Sequence, residues 1–311
     1  MNEKGIGLSI SKNLHMFISP HLDDVALSCG GYLSRLADAG KQVIIVTVAT
    51  EDVPENFSLS PMMKWRHIIW RQGNSPFLVR RCEDISAASI LGVQFEHFDM
   101  LDAIYRCDRF DNPLYPEKIT KVPIQALDRV DFLPILCTKL KKILSTWAGE
   151  QIQVYCPLGI GEHIDHIIVR SAVEEVFESQ KIIYYEDYPY IAKLSSIQHP
   201  NEPSNTFENW KTIIVKLSSG EIEARIAAVA SYASQIPILF PSKIQHVQNR
   251  ISFHLLKINL SINWPMSSKS SRQRIASSLT SYISRVGGER YWFRNSKQNP
   301  EIKLIGINNE K

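Results

Sequence analysis

Residues 14–31 read LHMFISPHLDDVALSCGG, and this stretch decides the fold. Leu14 to Ser19 is a short apolar run that stops at Pro20, as a strand does at its end. His21, Asp23 and Asp24 then fall within four positions. From Val25 onward apolar residues recur at helical spacing (Val25, Leu27, Leu33, Leu36) as far as Gly40, a helix stop. Beyond it Val43 to Val48, VIIVTV, is β-branched and apolar on both faces, as a buried parallel strand requires.

The same alternation continues outward. Arg80 to Leu91 reads as a helix stopped by Gly92, and Gln94 to Phe98 as a strand. Phe132 to Trp147 is helical, Ile152 to Cys156 a strand, His166 to Glu178 a helix and Ile182 to Tyr185 a strand. Strand and helix in alternation predict an α/β protein: a Rossmann-like, doubly wound, mostly parallel sheet with helices on both faces. After about residue 190 the texture changes. Residues 195–210 are polar and turn-rich, and Ile213 to Leu217 reads as an isolated strand. Glu221 to Gln235 is a strong helix, and 241–280 is irregular with serine clusters. We therefore divide the chain into an α/β core, 1–194, and a C-terminal extension, 195–311, packing on the same domain as an appended layer. The long connections 51–79 and 103–128 are candidate substrate walls, because long ordered loops in compact domains are often functional.

Composition narrows the function. With 311 residues and 44% hydrophobic content the chain is large enough for a substantial core. Its 35 basic and 32 acidic side chains leave a net charge of +3, too small an excess for a nucleic-acid binder. No apolar run reaches the roughly 18 residues of a membrane span, and the N-terminus lacks the apolar core of a signal peptide. Cys29, Cys82, Cys107, Cys137 and Cys156 are scattered without a C-x-x-C pair, so neither a disulfide framework nor a cysteine-rich zinc site is expected. Cys29 and Cys156 read as buried packing thiols. These features predict a cytoplasmic protein. No glycine-rich phosphate loop follows a strand, which argues against a nucleotide enzyme.

Two polar clusters carry the chemistry. The first is Pro20-His21-Leu22-Asp23-Asp24, at the carboxyl end of the first strand, where open α/β sheets bind ligands. A histidine and a carboxylate three residues apart on a tight turn can reach one metal ion, leaving the adjacent carboxylate free as a base. The bland alternative is that Asp23 or Asp24 only caps the next helix. The second is Gly161-Glu162-His163-Ile164-Asp165-His166, which follows the strand 152–156 and precedes a helix. Its bland alternative is a polar helix start capped by Asp165. Both clusters occupy the same kind of place, a strand-to-helix turn. Pairing the turns brings together His21, Asp24 and one of His163 or His166. Two imidazoles and a carboxylate make a catalytic zinc shell with one position open to water. The same donors suit Fe(II), so the sequence does not choose between Zn2+ and Fe2+.

These motifs resemble those of the PIG-L/LmbE N-deacetylases, whose first motif has the form (A/P)-H-(P)-D-D and whose second is H-x-D-H. Gly30-Gly31, Arg80-Arg81-Cys82-Glu83…Leu91-Gly92 and Asp102 after the third strand also match the family pattern. The resemblance covers about residues 14–190. Leu22 stands where the family usually has proline, and Val25 where it has an acid. The resemblance implies His21, Asp24 and His166 as zinc ligands and Asp23 as general base. His163 is implied as the group that stabilises the oxyanion when protonated, or protonates the leaving amine. Arg80 and Asp102 are implied substrate-binding residues. Asp165 is expected to orient an imidazole or cap the following helix. Tyr105 and Arg106 lie close enough in sequence to line the same wall, though each reads more readily as a surface-loop residue. The strings Tyr232-x-Ser234-Gln235 and Glu289-Arg290-Tyr291-Trp292 either reach the pocket or pack the C-terminal layer, and packing is the favoured reading.

The resemblance implies a metal-dependent hydrolase that removes acetyl from an N-acetylated amino sugar or sugar conjugate of the N-acetylglucosamine type. Zinc lowers the pKa of a bound water to about 7, and a neighbouring carboxylate takes its proton. Two readings compete. One is a zinc amidase acting on another sugar-linked amide. The other is a catalytically silent sugar-binding protein of the same fold, which predicts loss of a ligand or the base, yet every such position is filled.

Overall fold

Seven strands form one sheet in the order β3-β2-β1-β4-β5-β7-β6. The computed structural model describes residues 13–53, 57–70, 76–194, 210–242, 245 and 271–294. The first 12 residues, the polar segment 195–209 and most of 241–270 lie outside the described residues. Strands β1 (Asn13–His21), β2 (Gln42–Ala49), β3 (Gln94–Met100), β4 (Gln151–Pro157) and β5 (Ile182–Tyr185) are parallel. β1 and β2 are buried along almost their whole length, which is why they read as continuous apolar runs.

Helices cover both faces. On one side α1 (Asp24–Asp38) and α3 (Pro76–Leu91) bury Cys29, Leu33, Leu36, Ala87 and Leu91 against Phe17, Ile45 and Tyr155. On the other, α4 (Leu133–Thr146) and α5 (Ile164–Val176) bury Leu136, Leu140, Ile168 and Val173 against Met16, Ile18 and Val154. A further helix, α2 (Pro61–Trp70), lies in the connection 51–79 and buries Met63 and Trp70.

Strand order reverses between β1 and β4. From β1 the chain winds outward to β2 and β3, and from β4 outward to β5. β1 and β4 are direct neighbours, with Phe17 opposite Tyr155. The turns at their carboxyl ends therefore meet at the topological switch point, where open α/β sheets hold ligands.

The C-terminal part differs from the sequence expectation in two respects. The strand expected to be isolated, β6 (Trp210–Val215), pairs along its length with β7 (Glu289–Arg294), and β7 pairs antiparallel with β5. Residues 271–280, expected to be irregular, begin a helix, Ser271–Val286. Its apolar positions Ile275, Leu279, Tyr282 and Ile283 recur at helical spacing and are buried, while serines occupy the other faces. Between them lie α6 (Ser219–Ala230) and the short α7 (Ile236–Leu239); Ser271–Val286 is α8. Ser218 and Glu221 form a reciprocal capping box at the start of α6.

A polar staple fastens this part to α1. Glu289 accepts from the N–H groups of Gly31 and Tyr32 at 2.9 and 3.0 Å, and Arg225 Nε donates to the carbonyl of Leu27 at 3.1 Å. Arg225 Nη1 lies 3.1 Å from Glu289 Oε1, and both side chains are fully buried. The close approach explains the glycine pair. A Cβ at Gly30 would come within 2.9 Å of Arg225 Cγ, and one at Gly31 within 2.5 Å of Leu217 Cδ1.

Candidate active site

The β1 turn places three side chains on one spot. Asp24, first residue of α1, accepts from the His21 backbone N–H through Oδ2 at 2.9 Å. The same Oδ2 lies 2.9 Å from His21 Nδ1 and 3.2 Å from His166 Nε2. Two imidazole nitrogens thus converge on one carboxylate oxygen. All three residues are buried.

Each imidazole is held from behind by a carboxylate. Asp165 Oδ2 lies 3.0 Å from His21 Nε2, which fixes the ring with Nδ1 facing Asp24. Asp165 also accepts from the Ala103 N–H at 3.0 Å and from Arg106 Nη1 at 2.5 Å. It does not cap α5; His163 does, its Nδ1 accepting from the Asp165 N–H at 3.2 Å. Asp187 does for His166 what Asp165 does for His21. Its Oδ1 is 2.6 Å from His166 Nδ1, and its Oδ2 accepts from the N–H groups of Gly159 and Ile160, each at 2.8 Å. Asp187 directly follows β5 in the sequence, after Glu186. The rule that flagged the ends of β1 and β4 would have found it there.

Asp23 turns away from this cluster. Its Oδ1 lies 4.0 Å from Arg80 Nη2. Arg80 sits in the second turn of α3, which begins at Pro76 rather than Arg80, and is buried against Trp70 and Phe77 rather than solvated. Arg81 instead reaches the Thr50 carbonyl and Asp52. Asp102 is buried, 3.8 Å from His21 Nε2 through Oδ2, and its Oδ1 accepts from the Ile104 N–H at 3.1 Å. Tyr105 and Arg106, expected on a surface loop, are buried. Arg106 is clamped between Asp165 and Asp128, and the Tyr105 hydroxyl lies 2.6 Å from His67 Nε2. Sequence reasoning missed Arg106 because its partner Asp165 is distant in the chain.

The two adjacent aspartates titrate in opposite directions. Burial raises the pKa of Asp23, and the charge of Asp24 raises it further, against Arg80 and His21. Burial alone would raise Asp24 too, but His166 and His21 pull it well below the usual carboxylate range. Burial lowers His163 well below the usual histidine range, and the neighbouring His21 and His166 add to this. Both causes disfavour a proton on the His163 ring in this arrangement.

The residues fit a metal ion. His166 Nε2 is buried with no hydrogen-bond partner among the described residues, although Asp24 is within ion-pair distance. One nitrogen from each of His21, His163 and His166 lies within 4.8 Å of the others. Burial disfavours charge on His21 and His166, but the charge of Asp24 outweighs it and raises both above the usual histidine range; a bound cation would displace those protons, leaving imidazoles and an ionised carboxylate, the donor set of zinc or iron. A pocket opens over the cluster. Arg66, Trp70, Ile104, Ile119, Tyr190 and Gln235 line it beside His21, Asp23, Asp102 and His163. Arg66 and Trp70 come from the connection 51–79, and Ile104 and Ile119 from 103–128. Gly161, at φ +90°, lets the second turn pass under Tyr190, whose ring carbons lie 2.5 Å from where a Cβ would stand. Of the C-terminal strings, Gln235 reaches the pocket. Tyr232 and Ser234 bond Asp84 and Glu83, and Trp292 bonds Glu186.

A switch-point site with two imidazoles and a carboxylate together, and a second buried carboxylate beside them, has the build of a metal-dependent hydrolase. The chain belongs to the PIG-L family: the family described as GlcNAc-PI de-N-acetylase matches residues 16–177, which contain both polar turns. It is 24% identical over 241 residues to the 2'-N-acetylparomamine deacetylase of Niallia circulans, covering 74% of this chain and 83% of that one. The zinc-inhibited form of teicoplanin deacetylase shares the fold, with a TM-score of 0.65 at 23% identity over 91% of this chain and 99% of that one. So does the A40926 pseudoaglycone deacetylase, with a TM-score of 0.60 at 20% identity over 91% and 97%. Among the described residues no helix is long and apolar enough to cross a membrane.

Proposed function

We propose that the protein is a zinc-dependent N-deacetylase that removes acetyl from an N-acetylated amino sugar or its conjugate. One observation carries the reading: Asp24 joins His21 and His166, while the adjacent Asp23 is held apart from them on the pocket wall. Family membership and the sugar deacetylases among the relatives support it.

His21 Nδ1, Asp24 and His166 Nε2 would hold the ion. A bound Zn2+ supplies Lewis acidity toward the amide oxygen and makes water acidic enough to attack near neutral pH. Asp23 takes the proton of the attacking water; its raised pKa suits a base that must later return that proton to the departing amine. His163 Nδ1 accepts a backbone N–H, so the proton of the neutral ring resides on Nε2. That N–H donates to the oxygen that gains charge as the tetrahedral centre forms. Arg80 and Asp102 border the pocket and engage sugar hydroxyls. Leu239 borders both this pocket and an adjoining cavity of about 720 Å³, which leaves room for the rest of a conjugate. The described residues of the C-terminal part, 210–242, 245 and 271–294, act as an extension of the same domain, contributing Gln235 and Leu239 to the wall. The five cysteines are free, which accords with a cytoplasmic setting.

The test separates base from ligand. Asp23→Asn should keep its zinc content and release acetate from an accepted N-acetyl sugar about 10²–10⁴-fold more slowly. Asp24→Asn should lose zinc and activity together, and chelation should abolish wild-type activity. Wild-type rates for Asp23→Asn would refute the base assignment. Metal analysis of the protein as isolated decides between zinc and iron.

A further inference from the structure

The pocket wall carries a charge that amide hydrolysis does not use. Arg66, in α2, lines the same pocket as Asp23 and Asp102. Among the described residues its guanidinium has no ion pair and no hydrogen bond. It lies over the ring of the adjacent Trp65, at 5.1 Å to the centroid. The other arginines near the site are engaged. Arg106 is clamped by Asp128 and Asp165, and Arg80 faces Asp23 and stacks on Trp70 and Phe77. Even so, among the described residues Arg80 Nε is buried without a hydrogen-bond partner. Two guanidinium groups with spare donors therefore border the space above the catalytic cluster.

Among the described residues no carboxylate lies within ion-pair distance of Arg66, and Asp102 acts on it only from farther away. Asp102 is occupied by the Ile104 N–H and faces His21, and Asp23 faces Arg80. A guanidinium offers five N–H donors in a planar fork, and leaving them unpaired in a shielded pocket is unfavourable. Burial lowers the pKa of Arg66, with Asp102 opposing this and Arg80 adding repulsion. A ligand that supplies oxygen acceptors and negative charge removes the imbalance. A sugar bearing a free amine would add to it.

We propose that Arg66 selects substrates whose amino sugar carries an anionic group, a phosphate or a carboxylate, and holds that group through its guanidinium fork. The inference rests on the N-deacetylase reading and adds the charge of the substrate to it. Arg66 binds without taking part in the bond change, so its effect belongs in KM rather than kcat.

The zinc-loaded enzyme is tested for acetate release from N-acetylglucosamine, its 1- and 6-phosphates, N-acetylmuramic acid and a mono-N-acetylated chitobiose. At least one anionic sugar should show kcat/KM about 10–100-fold above the neutral one, the range expected of a charged hydrogen bond. Preference for the phosphates alone assigns phosphate, and preference for N-acetylmuramic acid alone assigns carboxylate. Arg66→Gln should collapse the anionic-to-neutral ratio through KM, and Arg66→Lys should recover part of it. Binding of the same sugars to zinc-loaded Asp23→Asn, with and without Arg66→Gln, gives a readout without turnover. A wild-type enzyme with no anionic preference, or a preference that survives Arg66→Gln, overturns the proposal. If no sugar releases acetate, the deacetylase reading fails. The binding comparison then still decides whether Arg66 holds an anion.

Discussion

Asp187→Asn should weaken zinc binding by about 10–100-fold, the usual cost of losing the carboxylate behind a ligating histidine. The magnitude follows from how fully Asp187 is used. One oxygen lies 2.6 Å from His166 Nδ1, and the other accepts two backbone N–H groups, each at 2.8 Å. The side chain is 1% exposed, so water cannot replace either partner. Asparagine has one carbonyl oxygen. If that oxygen stays on the N–H groups of Gly159 and Ile160, the amide NH2 faces His166 Nδ1. Nδ1 must then accept, and the ring proton moves to Nε2, the atom whose lone pair the metal needs. If the amide turns over, the two N–H groups lose their acceptor, at roughly 1–3 kcal/mol for each buried group left unmade.

The affinity loss corresponds to about 1.4–2.7 kcal/mol. Competition against a chromophoric chelator measures it directly. Unfolding with and without EDTA gives a second measure, because at a fixed zinc excess the metal-dependent stabilisation should shrink by a similar amount. Asp187→Asn protein that binds zinc as tightly as wild type would refute the reasoning. His166 would then hold the turn together rather than the metal.

Two further expectations concern stability. Glu289→Gln strips the charge from a carboxylate that faces the buried Arg225 and should cost about 3–5 kcal/mol in urea unfolding, as breaking a buried pair does. Adding Arg225→Met should recover a large share, and a cost below about 0.5 kcal/mol for the single variant would show the pair to be unimportant. His15 is buried beside the Tyr155 hydroxyl; burial, and then Lys41, push its pKa down to about 4, against about 6.5 when unfolded. Between those values the unfolded chain binds the extra proton, so stability is complete above about pH 6.5 and falls as pH drops toward 4. In metal-free protein, wild type should lose roughly 2 kcal/mol more than His15→Phe between pH 7 and 4.5. Parallel profiles for the two proteins would refute this.

What the sequence made legible was local or repeated. β1, α1 and β2 follow from runs of matching period and from the stops at Pro20 and Gly40. The two polar turns could be paired because each ends a buried strand, and strand ends of one parallel sheet lie on one edge. Features set by partners distant in the chain were not legible. β6 looked isolated because β7, its partner, lies across a long interval in which no strand signal intervenes. α8 was hidden by serines, which favour turns in isolation and are tolerated here because Ile275, Leu279, Tyr282 and Ile283 dock on the core. Arg106 looked like a solvated loop charge, since nothing local to it announces Asp128 and Asp165.

The pair Asp23-Asp24 shows how one fold sets two roles on one residue type. Neither side chain differs chemically from the other, and a single peptide bond separates them. The helix start at Asp24 turns its carboxylate inward, onto two imidazoles already fixed by Asp165 and Asp187. Asp23, at the N-cap position of the same helix, makes no side-chain cap bond and faces Arg80 at 4.0 Å. The first environment favours the ionised form, and the second, more weakly compensated, favours uptake of a proton. Paired groups pushed apart in this way mark acid and base assignments. A bound cation would deepen the difference, since Asp24 would gain a direct charge partner and Asp23 only a distant one. Exchanging the environments should therefore exchange the faults. Arg80→Met should raise Asp23 further and shift the acid limb of the rate profile to higher pH while zinc stays bound. Asp187→Asn should loosen zinc and leave that limb in place. A matching shift from both variants would mean that base and metal cluster titrate as one unit, and the separation of roles between the two aspartates would fail.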